Sequence, residues 1–196
     1  MRTLWIVLGV LALIVFITVS SISGSYNGLV QKQEPVTAAW SQVENVYQRR
    51  SDLIPNLVST VQGYANFEKA TLTAVIEARA KATSTTINAE NLSEEQIKTF
   101  QANQGGLSQA LGKLMMVTEA YPELKANQGF LDLQAQLEGT ENRITVERQK
   151  YNATAQDYNT YRRKFPRNIL ANMFGFTAKP YFEAEEGAKS APKVQF

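Results

Sequence analysis

Apolar and polar positions follow two regimes along this chain. From Leu4 to Val19 the residues are LWIVLGVLALIVFITV, without a charge and with only Gly9 and Thr18 as weak interruptions. Continued through Ser20, Ser21 and Ile22, the run has about 20 residues at roughly 1.5 Å each, enough to cross a hydrocarbon core of about 30 Å. Trp5 stands at its first end and Tyr26 just beyond its second, where amphipathic rings favour the headgroup boundary. The competing reading is a cleaved signal peptide, for which Arg2 and the small residues of Ser21-Ile22-Ser23 are permissive. Length favours a retained anchor, because a signal-peptide core runs to roughly 7–15 apolar residues.

Beyond the anchor the apolar residues recur in steps of three and four, which places them on one face of a helix. Leu29, Val36, Val43 and Leu57 fall on one heptad line with a gap at Arg50, and Trp40, Tyr47, Ile54 and Val61 form the adjoining line. Pro35 is expected either to open this helix or to kink a rod continuous with the anchor. Pro55 lies within the stripe and should kink it and release the Ser51 carbonyl. A break is expected near Gly63-Tyr64-Ala65-Asn66. A shorter helix carries Leu72, Val75, Ile76 and Arg79 on one side and ends in the polar loop Thr83–Asn88. Ser93-Glu94-Glu95-Gln96 reads as a capping box. Behind it Ile97, Phe100, Leu107, Leu111, Leu114, Thr118 and Tyr121 keep the rhythm, with Gln104 in the missing slot and Gly105-Gly106 suggesting a bend or a close contact. After Pro122 the last long helix places Phe130, Leu137, Ile144, Tyr151, Tyr158 and Phe165 at strict seven-residue steps. A short helix is expected between Asn168 and Phe176. The expected fold is therefore all-α: an antiparallel four-helix bundle over residues 26–182, an anchor over 1–25 with residues 4–22 spanning, and a mobile tail over 183–196.

Composition removes whole classes of chemistry. The chain has no Cys and no His, so thiol catalysis, Cys or His metal sites and the commonest general base are absent. Without His no Glu-x-x-His motif can complete a carboxylate-bridged metal site, and Glu68, Glu77, Glu119, Glu138, Glu141 and Glu147 read as solvated charge. No cofactor is expected. The balance of 20 Lys and Arg against 18 Asp and Glu lacks the footprint of a nucleic-acid binder.

Three polar groupings remain. Arg49, Arg50 and Asp52 precede the Pro55 kink and read as an anion or partner site, or else as a surface cluster in which Asp52 caps the next segment. Arg162, Arg163, Lys164 and Arg167 suit a helix C-terminus and would meet anionic headgroups if that end faces the bilayer. Tyr151-Asn152 and Tyr158-Asn159, one heptad apart, form a polar recognition strip or a core edge with satisfied hydroxyls. Asn91-Leu92-Ser93 and Asn152-Ala153-Thr154 match a short glycosylation pattern that arises often by chance.

These residues also carry a resemblance. Tyr26-Asn27-Gly28-Leu29-Val30, Ala39-Trp40-Ser41-Gln42-Val43, Gln48 to Val58, Tyr121-Pro122-Glu123-Leu124-Lys125-Ala126-Asn127, the two Tyr-Asn pairs, Phe165-Pro166 and Gly175-Phe176 resemble the LemA family of bacterial membrane proteins, in order over nearly the whole chain. The resemblance implies one N-terminal span and a four-helix domain, and it supplies no reaction. Where the family often has His before Glu, this chain has Phe67 before Glu68.

The functional expectation is a non-enzymatic interaction or scaffold protein of the cell envelope, single-pass, with a protein partner or itself as ligand. The alternative is a bundle that takes a peptide or small ligand into a groove, holdase-like. Arg2 before the span and few charges after it place the domain on the outer side by the positive-inside rule.

Overall fold

The computed structural model describes residues 2–63, 69–85, 87, 89 and 92–183. Four long helices dominate it: α1 (Arg2–Gln62), α2 (Lys69–Ser84), α3 (Glu94–Thr118) and α5 (Gln128–Arg163). Two short ones, α4 (Pro122–Lys125) and α6 (Arg167–Met173), close the ends. The expected short helix near 168–176 is α6. The expected break near Gly63 follows the end of α1, but Tyr64 to Glu68 lie outside the described residues, as do Asn88, Asn91 and the tail beyond Glu183.

α1 is a single helix of 61 residues, about 90 Å at the helical rise. Of the two readings of Pro35, the continuous rod is the one found. Its first part, from Arg2 to Ser20, is wholly exposed, and an 18-residue stretch there has a mean hydropathy of 2.6. That is long and apolar enough to cross a membrane. Its second part buries Leu29, Val36, Trp40, Val43, Tyr47, Ile54, Leu57 and Val61, the whole predicted stripe.

α1 and α5 run antiparallel along their shared length. Gly28 faces Tyr161, Lys32 bonds Asp157 at 2.7 Å, Trp40 meets Tyr151 edge to face, and Arg50 bonds Glu141. Numbers climb on one helix as they fall on the other. At the first of these contacts the Tyr161 ring lies against Gly28 so closely that any side chain there would displace it. α2 turns back along α1, and α3 pairs with α2 through Gln104 to Ala82 and Asn103 to Thr85. The Ser93–Gln96 capping box is formed in both directions. The α2–α3 connection and the end of α5 thus share the end of the bundle nearer the apolar segment.

Some details depart from the pattern. Ile76 is exposed although Leu72 and Val75 beside it are buried. Phe165, last in the α5 heptad series, is 80% exposed because α5 ends at Arg163. Side chains added at Gly105 or Gly106 would meet nothing within 4 Å, so close helix contact is not their reason.

Pro55 sits inside unbroken α1 and carries no N–H, so the buried Ser51 lacks its usual partner at the carbonyl. Arg79 of α2 supplies one, its Nε donating to Ser51 O at 2.8 Å. Proline and arginine should therefore be energetically coupled. Arg79→Ala in the native background is expected to cost about 1–3 kcal/mol by leaving a buried acceptor unmet. In a Pro55→Ala background, where an amide N–H returns, the same change should cost less than about 1 kcal/mol; a double-mutant cycle by denaturant unfolding reads the difference.

Candidate functional site

Polar residues enter the core at two places. The first is the heptad gap of α1. Arg50 does not lie on the surface, as the cluster reading of Arg49, Arg50 and Asp52 supposed; it is 2% exposed. Its Nη1 donates to Glu141 Oε2 at 2.8 Å and to Ser108 Oγ at 3.0 Å, and its Nη2 donates to Gln104 Oε1 at 2.6 Å and Gln104 O at 3.3 Å. The Tyr47 ring lies 5.1 Å from the guanidinium carbon, within cation–π range. Gln104 turns its own amide nitrogen to Ala82 O. Arg49 and Asp52 stay exposed, and Asp52 accepts from Gln48 one turn earlier on the unbroken helix, capping nothing.

The two polar exceptions in the apolar stripes, Arg50 and Gln104, thus occupy one layer. On the side toward the apolar segment lies a cluster of Val36, Trp40, Val43, Tyr47, Ile97, Phe100, Ile144, Tyr151 and Tyr158. On the other lies a cluster including Ile54, Leu57, Val61, Leu72, Val75, Leu107, Leu114 and Phe130. A guanidinium is suited to this layer because its planar fork can tie two further helices, α3 and α5, to its own. Beside it α1, α3 and α5 leave a cleft of about 630 Å³ lined by Lys98, Gly105, Gly106 and Arg148 as well.

The second place is the Tyr-Asn strip. α6 ends in a turn at Gly175 (φ +77°), where Phe176 N donates to Ala171 O and Gly175 N to Asn172 O. This paired arrangement suits a glycine in the left-handed region. From there the chain runs without helix to Glu183 along α5. Asn159 accepts from Lys179 N at 2.9 Å and donates to Lys179 O at 2.7 Å; Asn152 does the same with Phe182, at 2.9 and 3.0 Å. Gln101 of α3 repeats the pairing with Glu183. Tyr158 donates to Thr177 O and Tyr151 to Pro180 O. Arg162 and Arg148 donate to the carbonyls of Phe176 and Glu183. The strip holds the chain's own C-terminal segment by its backbone. Glu183, expected to begin a mobile tail, is fixed by these bonds.

The aromatic core secures the same segment. Phe182 is stacked on Trp40 (centroids 5.7 Å, 10° between planes) and meets Tyr151 edge-on at 5.3 Å, with the Arg148 guanidinium 5.1 Å from its ring. Burial, with a smaller contribution from Tyr181, pushes the Tyr151 phenol well above its ordinary value; burial also raises Tyr158, partly offset by Arg162. Both hydroxyls therefore stay protonated and remain donors.

Sequence reasoning found Arg50, Tyr151, Asn152, Tyr158 and Asn159 but not what they hold. It missed Ser108, Glu141 and Phe182 as their partners, and Gln101 and Arg148 as further holders of the same C-terminal segment. Gln104 carried a signal, being polar in an apolar slot. Gln101 carried none.

Apolar rod, helical bundle and internally bound polar residues together define a membrane-associated helical protein. Its sequence matches that of the LemA family over residues 39–196, and the chain belongs to that family. Two magnetosome proteins of Paramagnetospirillum magneticum, MamQ 1 and MamQ 2, are each 29% identical to it over 205 residues, covering 96% of this chain and 74% of theirs. Protein LemA of Metamycoplasma hominis is 25% identical over 163 residues, 83% of this chain and 71% of that one.

Arg50→Leu is expected to cost about 2–4 kcal/mol, since Gln104 Oε1 is left buried without a donor. Adding Gln104→Leu should return stability to within about 1 kcal/mol of the parent, because a well-packed apolar pair can replace a buried polar one. Denaturant midpoints check both. For the strip, Asn152→Ala with Asn159→Ala should accelerate chymotryptic cleavage after Phe182 about tenfold or more, the factor that ~1.4 kcal/mol represents, while the helical signal is retained.

Proposed function

We propose that the chain is a non-enzymatic interaction or scaffold protein, anchored by a single N-terminal span, that presents its bundle to a protein partner or to a second copy of itself. The observation that carries this reading is the unbroken α1. One helix holds both the apolar segment and the core stripe, so a partner bound to the bundle is held close to the bilayer, with no loop between anchor and bundle. Of the polar side chains that sequence alone offered as a site, Arg50, Tyr151, Asn152, Tyr158 and Asn159 are engaged in structure, which leaves exposed helix faces, with Arg49 and Asp52 on α1, as the surface for recognition. The names of the relatives, magnetosome protein and LemA, state no reaction. Arg2 ahead of the apolar segment supports a bundle on the outer side.

A second reading has its own observation. Three side-chain amides pair with both backbone groups of Lys179, Phe182 and Glu183, a mode of binding that depends little on sequence. The same strip would receive a foreign extended peptide if the C-terminal segment left it.

A photo-crosslinking residue at the exposed Leu131 or Val146 of α5, activated in native membranes, separates the readings. One defined adduct, with another protein or with a second copy, is the expected result. Many unrelated adducts would favour the peptide-binding reading, and monomer alone from both positions would contradict the scaffold.

A further inference from the structure

The bundle presents a second apolar surface at the end facing the apolar segment. Phe165 in the turn before α6 is 80% exposed, Ile169 58% and Met173 63%. Ile169 and Met173 are four apart on α6 and share one side, with Phe165 exposed in the turn just before it, while Ala171 on the other side of α6 is buried against the bundle. Such large side chains in one exposed row are unusual on a soluble surface.

The position of this row is fixed by contacts. Phe174 and Phe176 meet the Tyr26 ring edge-on, with centroids 5.2 and 5.5 Å away. Tyr26 is four residues beyond Ile22, roughly 6 Å along the helix. α5 runs toward the apolar segment and ends at Arg163, two residues past Tyr161, which already faces Gly28. The row therefore lies at the level where the span would leave the hydrocarbon. Arg163 and Lys164 beside it are exposed, and Arg167 is turned over the Tyr161 ring, 4.2 Å from its centroid.

We propose that α6 and the turn before it form an interfacial membrane contact, in which Phe165, Ile169 and Met173 enter the headgroup boundary beside the span while Arg163 and Lys164 meet anionic lipid. The proposal rests on α1 being the membrane anchor. An apolar row with a basic border, lying in the interface plane, has the composition of a helix that sits on a bilayer, and its basic members gain further from anionic lipid. The consequence is a two-point attachment. A lone span leaves the domain free to tilt and spin, whereas a span with an interfacial helix beside it sets which faces of the bundle look away from the membrane.

The absence of cysteine makes the test direct. Full-length Leu11→Cys, Ile169→Cys and Met116→Cys variants carry an environment-sensitive fluorophore and are reconstituted into phosphatidylcholine–phosphatidylglycerol vesicles containing spin-labelled lipid. Met116, 69% exposed at the far end of α3, serves as the aqueous reference. The Ile169 label should lose emission about twofold or more with a shallow quencher and lie about 5–10 Å into the boundary. Quenching at Ile169 no greater than at Met116, with Leu11 in lipid, overturns the interfacial helix alone. Leu11 reading as aqueous overturns the anchor and this proposal with it.

Discussion

The bundle's register depends on one buried cation. A guanidinium in a core must be given acceptors or it costs several kcal/mol, and Arg50 finds them on Gln104, Ser108 and Glu141. That requirement fixes α1 against α3 and α5 together, because sliding either partner by a turn would leave the charge unmet. Apolar stripes alone tolerate such slippage, since one heptad of Leu and Val resembles the next. A single polar position that selects one register is a known device of helical assemblies, and here it divides the core into two aromatic and aliphatic halves.

With α1 and α5 locked, the far half of α5 is presented in a defined way. Tyr151, Asn152, Tyr158 and Asn159 then meet the backbone of residues 177–182, and Phe182 closes the aromatic cluster around Trp40. The returning segment adds a layer to the part of the bundle nearest the apolar rod. It also ties α3 to α5 through Gln101 and Arg148, both bound to Glu183 O. Register, strip and strap form one chain of dependence from Arg50 outward.

Much of this was legible in the sequence, for reasons that differ between residues. The stripes of α1, α3 and α5 were readable because burial repeats with the helical period. The Ser93 capping box was readable because its partners lie three residues apart. Arg50 and Gln104 showed as gaps, but a gap in a stripe does not say which other gap fills it, since that depends on how distant helices pack. The strap was hidden for a stronger reason. Apart from the Phe182 ring and the Tyr181 hydroxyl, its contacts are made largely by backbone groups, so the residues between Gly175 and Glu183 needed no periodic pattern and left none.

The polar strip of α5 is an internal dock for the chain's own C-terminal segment. Amide hydrogen exchange of the full chain in lipid nanodiscs tests it at single residues. The Lys179 and Phe182 amides, which donate to Asn159 and Asn152, should exchange at least about 100-fold more slowly than in a free chain. Exchange of both at free-chain rates would show an open groove and contradict the account.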